Sequence, residues 1–196
     1  MTKITPKENF MRLAKGEKPE YIPYFCMMGE PYMGEAATKF VNPNVFNETH
    51  FMDGGYDMWG VRHVATEGTA GATMPDTSII MLEDPADWKE VIRFPEMPVV
   101  NWEEKYEADM KAFGVDREQN AVMVSPGLMP FQELVGLMGF AGALMALYDD
   151  PESVLEMLNA MVDFIEPVYT KMIDVYKPDL WYILDDSCAK TQPFFS

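Results

Sequence analysis

Cysteine, histidine and basic side chains are scarce in this chain, and each scarcity excludes something. Cys26 and Cys188 are the two cysteines among 196 residues. They make no disulfide framework, so the expected setting is reducing and cytoplasmic. Against 32 Asp and Glu stand 15 Lys and Arg, for a net charge of −17. No basic cluster occurs anywhere, which argues against nucleic acid as a partner. The acidity reads as a soluble surface, since net charge bears on solubility rather than fold. Apolar stretches are short and interrupted, below the ~20 residues that span a bilayer. The amino terminus is polar and lacks a signal-peptide core. The two histidines, His50 and His63, fall in no metal-ligand motif, and His63 reads as a loop or strand-edge residue. No internal repeat and no composition boundary divides the chain, so residues 1–196 read as one domain.

What is present is apolar and aromatic. Hydrophobic residues make up 48% and aromatics 13%, which excludes disorder. The length suffices for one domain with a real core. The 18 methionines read first as pliable core filler and second as the lining of a site for a large flat ligand.

Helix and strand signals alternate. Thr5-Pro6-Lys7-Glu8 is a capping box with proline at the first helical position, predicting a helix to about Lys15. Ile22 to Met28 reads as a first buried strand. Glu35 to Phe40 and Pro43 to Met52 read as helical pieces, the second capped by Asn42. Tyr56 to Val61 is strand-like, Thr66 to Thr77 an excursion loop, and Ser78 to Leu82 a short extra strand. Asp84-Pro85 starts a short helix through Ile92. Asn101-Trp102-Glu103-Glu104 is a second capping box, heading a helix to about Phe113. Ala121 to Ser125 is a buried strand. Phe131 to Met138 and Ala141 to Tyr148 are helices separated by Gly139. Asp150 caps the longest helix, whose stripe of Val154, Leu158, Met161, Ile165, Val168 and Met172 is one-sided. Pro167 should kink it.

Leu180-Trp181-Tyr182-Ile183-Leu184 then runs into Asp185-Asp186. A continuous apolar run fits a parallel strand covered on both faces. Strands joined by helical crossovers make a parallel sheet, and acids at a strand's carboxyl end sit where such folds place chemistry. Asp185 and Asp186 are therefore the candidate catalytic pair, with neighbouring acids pushing each other's pKa apart; the alternative is a helix-capping role. Tyr24, Met28, Asp57 and Trp59 are candidate substrate contacts, Trp59 and Tyr24 by stacking on a flat ligand or else as core aromatics. Cys26 and Cys188 read as buried structural cysteines. No metal site is expected within these residues.

Several segments together resemble the uroporphyrinogen decarboxylase superfamily. They are Pro6-Lys7-Glu8-Asn9-Phe10-Met11-Arg12-Leu13-Ala14-Lys15-Gly16 with Pro19-Glu20-Tyr21-Ile22-Pro23, Tyr56-Asp57-Met58-Trp59-Gly60-Val61-Arg62, Gly139-Phe140 to Leu147-Tyr148-Asp149-Asp150-Pro151-Glu152, and Pro178-Asp179 to Asp185-Asp186 with Pro193-Phe194-Phe195-Ser196. The resemblance implies the amino-terminal half of a TIM (β/α)8 barrel: α/β, with about four parallel strands and crossover helices. Such a half-barrel leaves open strand edges, so a truncated product, self-association or a complementary half-barrel is expected.

Within that superfamily, Cys26-Met27-Met28-Gly29-Glu30-Pro31-Tyr32 lacks the arginines with which a decarboxylase would hold a polyanionic tetrapyrrole. The pattern is closer to the corrinoid-dependent methyltransferase and O-demethylase branch. That branch implies a corrinoid (cobamide) carrier, a corrinoid protein as partner, a small thiol or methoxy substrate, and zinc as thiol activator. The family's zinc ligands fall in the second half of the barrel. Uroporphyrinogen decarboxylation and a non-catalytic half-barrel interaction module are the alternatives.

Overall fold

Thr5 begins the first helix as the sequence predicts: its side chain accepts the Glu8 amide while Glu8 accepts the Thr5 amide, and Pro6 opens the helix. The computed structural model describes residues 4–25, 36–49, 54–65, 73–125, 127 and 129–194. In chain order its elements are helix α1 (Pro6–Ala14), strands β1 (Thr38–Val41), β2 (Gly55–Tyr56), β3 (Arg62–Ala65) and β4 (Thr73–Pro75), and a 3-10 turn (Pro85–Asp87) running into helix α2 (Trp88–Val91). Helix α3 (Trp102–Ala112), strand β5 (Ala121–Val124), helices α4 (Pro130–Asp149) and α5 (Pro151–Tyr176), and strand β6 (Leu180–Trp181) complete it.

These elements divide into two units interleaved in sequence. The first gathers Met1–Pro43, Val100–Gly127 and Val168–Ile183; the second gathers Asn44–Val99, Leu128–Pro167 and Leu184–Ser196. Each draws on three separate stretches, which is why composition along the chain marks no boundary.

The first unit is α/β. Its sheet has the order β1-β5-β6, parallel throughout, with Thr38 opposite Ala121 and Met123 opposite Leu180. All four residues of β5 are buried, as its apolar run predicts for a central parallel strand. Asp179 secures the β5–β6 entry: its carboxylate accepts the Val122 amide at 2.9 Å and the Lys7 ammonium at 2.7 Å. Tyr176 is fully buried and donates to Asp109 at 2.6 Å, while Lys105 Nζ holds both oxygens of the same carboxylate. Burial and the Asp109 charge push the Tyr176 phenol's pKa up.

The second unit has its own antiparallel sheet, β2-β3-β4, with His63 opposite Gly55 on one side and Pro75 on the other. Its core includes Trp59, Val61, Leu134, Leu137, Met157 and Met161. Phe164 joins Trp59, Phe46 and Phe94 in an aromatic group with centroid spacings of 5.2–6.2 Å. Gly139 interrupts α4 with φ 71° and ψ 163°. The Leu137 carbonyl there accepts the Met81 and Leu82 amides at 2.9 and 3.0 Å, so backbone oxygen freed at the break is satisfied.

Several expectations need correction. Thr38–Val41 is a strand rather than the end of a helix, and residues 43–49 form a loop in which Asn44 bonds both the amide and the carbonyl of Glu48. Residues 22–25 form no strand, and Ile22 is 93% exposed; Cys26, Met28 and His50 lie outside the described residues. The Tyr56–Val61 segment splits into the end of β2 and a turn. Residues 73–75 are strand β4, whereas 78–82 are not a strand. Asn101 makes no side-chain cap bond. The Leu180–Leu184 run gives a two-residue strand, partly exposed, and Ile183 and Leu184 face solvent; coverage on both faces is not achieved. Cys188 is exposed, not buried.

Helix α4 is long and apolar enough, by length and composition, to cross a bilayer, but the core helix of a soluble protein passes the same test. Here it is broken at Gly139, carries Glu133, and buries Phe131, Leu134, Leu137 and Met138.

Candidate functional site

A cluster of carboxyl groups lies inside the second unit, and it is built from loop, turn, strand and helix. Asp57 is its best-anchored member. Its Oδ1 accepts the Trp59 and Val61 amides, both at 2.9 Å, and its Oδ2 lies 3.1 Å from His63 Nε2. The Asp57 side chain is 4% exposed. The turn closes through Gly60, whose φ of 84° suits a residue without Cβ. Asp57 thus joins the end of β2 to the start of β3, and His63 sits on the central strand of that sheet. A strand-edge or loop placement for His63 is therefore corrected.

Glu48 approaches from the loop before β2, where its Oε1 accepts the Met58 amide at 3.0 Å. Burial is the main reason its carboxyl pKa is raised from 4.5 to about 7. The Met58 hydrogen bond and His63 oppose that rise, and Asp57 adds to it.

Glu133 comes from the first turn of α4 and is buried at 8% exposure. Its pKa lies well above the ordinary value. Desolvation is the first cause, and repulsion from Asp57, Glu48 and Asp185 follows; a hydrogen bond from the Met129 amide pulls the other way. Burial and neighbouring acids thus favour the protonated form of this carboxyl.

Asp185 completes the group. Its two oxygens accept the Phe131 and Gln132 amides at 3.0 and 3.1 Å, so it caps the amino terminus of α4. Such amides have no partner within their own helix, and the helix dipole favours an anion there. A capping role was the alternative reading of this residue, although the helix capped precedes it in sequence. Asp186 is exposed and faces solvent.

The structure brings Asp57 and Asp185 into one electrostatic cluster and sets Trp59 next to it through the Trp59 amide. The Trp59 ring itself packs in the aromatic group, and its buried Nε1 has no hydrogen-bond partner among the described residues. Tyr24 belongs to the first unit, where its carbonyl accepts the Ala37 amide. Glu48, His63 and Glu133 were not read as site residues. One signal for Glu133 was present: it is the single acid in the apolar stretch 130–148. No local pattern identifies Glu48.

Chemically, the cluster sets two carboxyls with raised pKa, Glu48 and Glu133, beside Asp57 and Asp185, which accept backbone amides. That is the arrangement in which general acid and base roles separate. Among the described residues no group of three or more His, Cys, Asp or Glu side chains is placed to hold a metal ion. No protein-family model, no curated protein and no solved structure matches the chain.

Proposed function

We propose that the chain belongs to an enzyme of methyl transfer from a small methoxy or related donor, of the corrinoid-dependent kind, and that the buried carboxyl cluster is its proton-handling site. A cobamide, on a separate corrinoid protein, would serve as methyl carrier. The observation that carries the reading is Glu133, a buried carboxyl that feels the charges of Glu48, Asp57 and Asp185. A methyl group leaves an oxygen readily only if that oxygen gains a proton, and a carboxyl whose surroundings favour its protonated form can give one. Glu48, titrating near 7, is suited to restoring it. Asp57 orients the turn and pairs with His63; Asp185 orients the helix that carries Glu133.

The fold counterpart of this reading is the first half of a (β/α)8 barrel. The parallel order β1-β5-β6 follows chain order, as neighbouring barrel strands would. Uroporphyrinogen decarboxylation is less well supported, because the segment Cys26 to Tyr32 lacks the arginines that a substrate with many carboxylates would need. Cytoplasmic location belongs to the same reading.

The test is methyl transfer from a panel of methoxylated compounds to cob(I)alamin, followed by visible absorption. Formation of methylcob(III)alamin that falls at least about tenfold in E133Q, the scale of a lost general acid, supports the reading. No transfer from any donor, or release of carbon dioxide from uroporphyrinogen instead, would refute it.

A further inference from the structure

The residues after β6 form a short excursion attached to α4 at two points. Within it, Ser187 N–H donates to the Asp185 carbonyl at 2.9 Å, Ala189 N–H to the Gln192 carbonyl at 2.8 Å, and Phe194 N–H to the Ser187 carbonyl at 3.1 Å. Cys188 and Pro193 form a bridge. Residues 188–193 are exposed. The excursion is therefore a self-bonded strap with little burial of its own.

Its two attachments differ in kind. The first is aromatic: the Phe194 ring lies 6.0 Å from Phe131 and 5.0 Å from Phe140, which spans the Gly139 break in α4. The second is electrostatic: the Asp185 carboxylate caps the Phe131 and Gln132 amides. A charged cap is stronger than a neutral one because the anion meets both the orphan amides and the helix dipole.

Glu133 follows Gln132 directly on the same helix turn, and its carboxyl interacts electrostatically with Asp185 inside the unit. The other groups facing it are Glu48 from the 44–49 loop and Asp57 from the turn after β2. His63 of β3, paired with Asp57, brings a basic group to this cluster. A proton on Glu133 leaves Asp185 as the anion on this helix terminus. Loss of that proton sets a second anion beside the first, where low polarity leaves repulsion poorly screened.

We propose that segment 184–194 is a proton-controlled strap, seated on α4 while Glu133 is protonated and released when Glu133 ionises. Release removes the Asp185 cap, withdraws Phe194 and opens the Phe131–Phe140 surface to solvent. Glu48, whose carboxyl titrates near 7, adds a charge that opposes ionisation of Glu133 and shifts release upward. The device is independent of which reaction the cluster serves.

Cys188 lies in the strap and is exposed, so it carries the test. In the full chain with Cys26→Ala, a nitroxide on Cys188 reports strap mobility by electron paramagnetic resonance. The expected result is a growing mobile component as pH rises from about 6 to about 9, the released-to-seated ratio increasing at most about tenfold per pH unit, as one proton allows. Far-UV circular dichroism should stay constant over that range. E133Q should hold the strap seated throughout, because an amide cannot ionise. Asp185→Asn should give a looser strap at low pH and a smaller pH response. A label mobility constant with pH, a transition that E133Q leaves unchanged, or release that coincides with global unfolding would each overturn the proposal. Should E133Q fail to fold, the Asp185→Asn response decides, since a transition unchanged there is equally incompatible with release driven through Asp185.

Discussion

Replacing Glu48 with Gln should flatten part of the protein's stability–pH profile. The Glu48 carboxyl goes from 4.5 to about 7 on folding, chiefly through burial. Between those values the native state keeps a proton that the unfolded chain has released, so stability falls as pH rises. Below about 4.5 both states are protonated and the group contributes no slope; above about 7 both are ionised and the whole cost is present. Raising the carboxyl from 4.5 to about 7, at ~1.4 kcal/mol per pH unit, amounts to about 3–4 kcal/mol. That is a large share of the ~5–15 kcal/mol by which a typical domain is stable. Gln has the same length and keeps a carbonyl oxygen for the Met58 amide, now 3.0 Å from Oε1. It also removes one of the charges that raise Glu133, which acts in the same direction. Urea unfolding across a pH series is the assay. The two proteins should match near pH 4.5, and E48Q should exceed wild type by about 3–4 kcal/mol near pH 8. Parallel curves over the whole range would refute the assignment of that slope to Glu48.

Three further outcomes are expected. Tyr176→Phe removes a 2.6 Å bond to buried Asp109 and should cost about 1.5–3 kcal/mol in thermal or urea unfolding, as hydrogen bonds to charged groups do. Gly139→Ala should cost about 1–3 kcal/mol, because the residue sits at φ 71° and its new Cβ would lie 2.9 Å from Ile80 Cδ1; a lowered melting temperature is the readout. Asp57→Ala strips the acceptor from the Trp59 and Val61 amides and should cost on the order of 3 kcal/mol, with Asp57→Asn losing less because its amide oxygen can still accept. Denaturation midpoints of the two variants measured side by side check the order.

The helical half of the chain was legible because its signals are local. The Thr5 box, the Gly139 break and the Asp150 cap, whose Oδ1 accepts the Ser153 amide at 3.1 Å, all stand as read. The apolar stripe of α5 also stands at Val154, Met161, Ile165, Val168 and Met172, all buried, whereas Leu158 is half-buried and Met157, outside the stripe as read, is fully buried. Strands were harder. Thr38–Val41 is too short for periodicity to separate it from a helix, and the helix-forming Glu35-Ala36-Ala37 before it pointed the wrong way. Strands β2–β4 earn their pairing from partners elsewhere in the chain, which no local window contains. The same limit applies to the site. Asp57 and Asp185 were reached by position at strand ends, but Glu48, His63 and Glu133 join them only through tertiary packing. The Leu180–Leu184 run promised burial on both sides that its short ladder does not supply.

The first unit closes through pairs far apart in the chain. Lys7 meets Asp179 across 172 residues, and Asn120 reaches the Ala36 carbonyl across 84. Loop-closure entropy is spent before such contacts form, which slows folding. On the ribosome, β5 emerges and must wait for β6 while its outer edge is unpaired. Until the last stretch of the unit leaves the exit tunnel, Lys7 has no Asp179 to meet and α1 lacks that tie. An exposed, β-rich intermediate of this kind is prone to aggregation. Expression yield should therefore respond more to slow synthesis or chaperone supply than the stability of the finished fold would suggest.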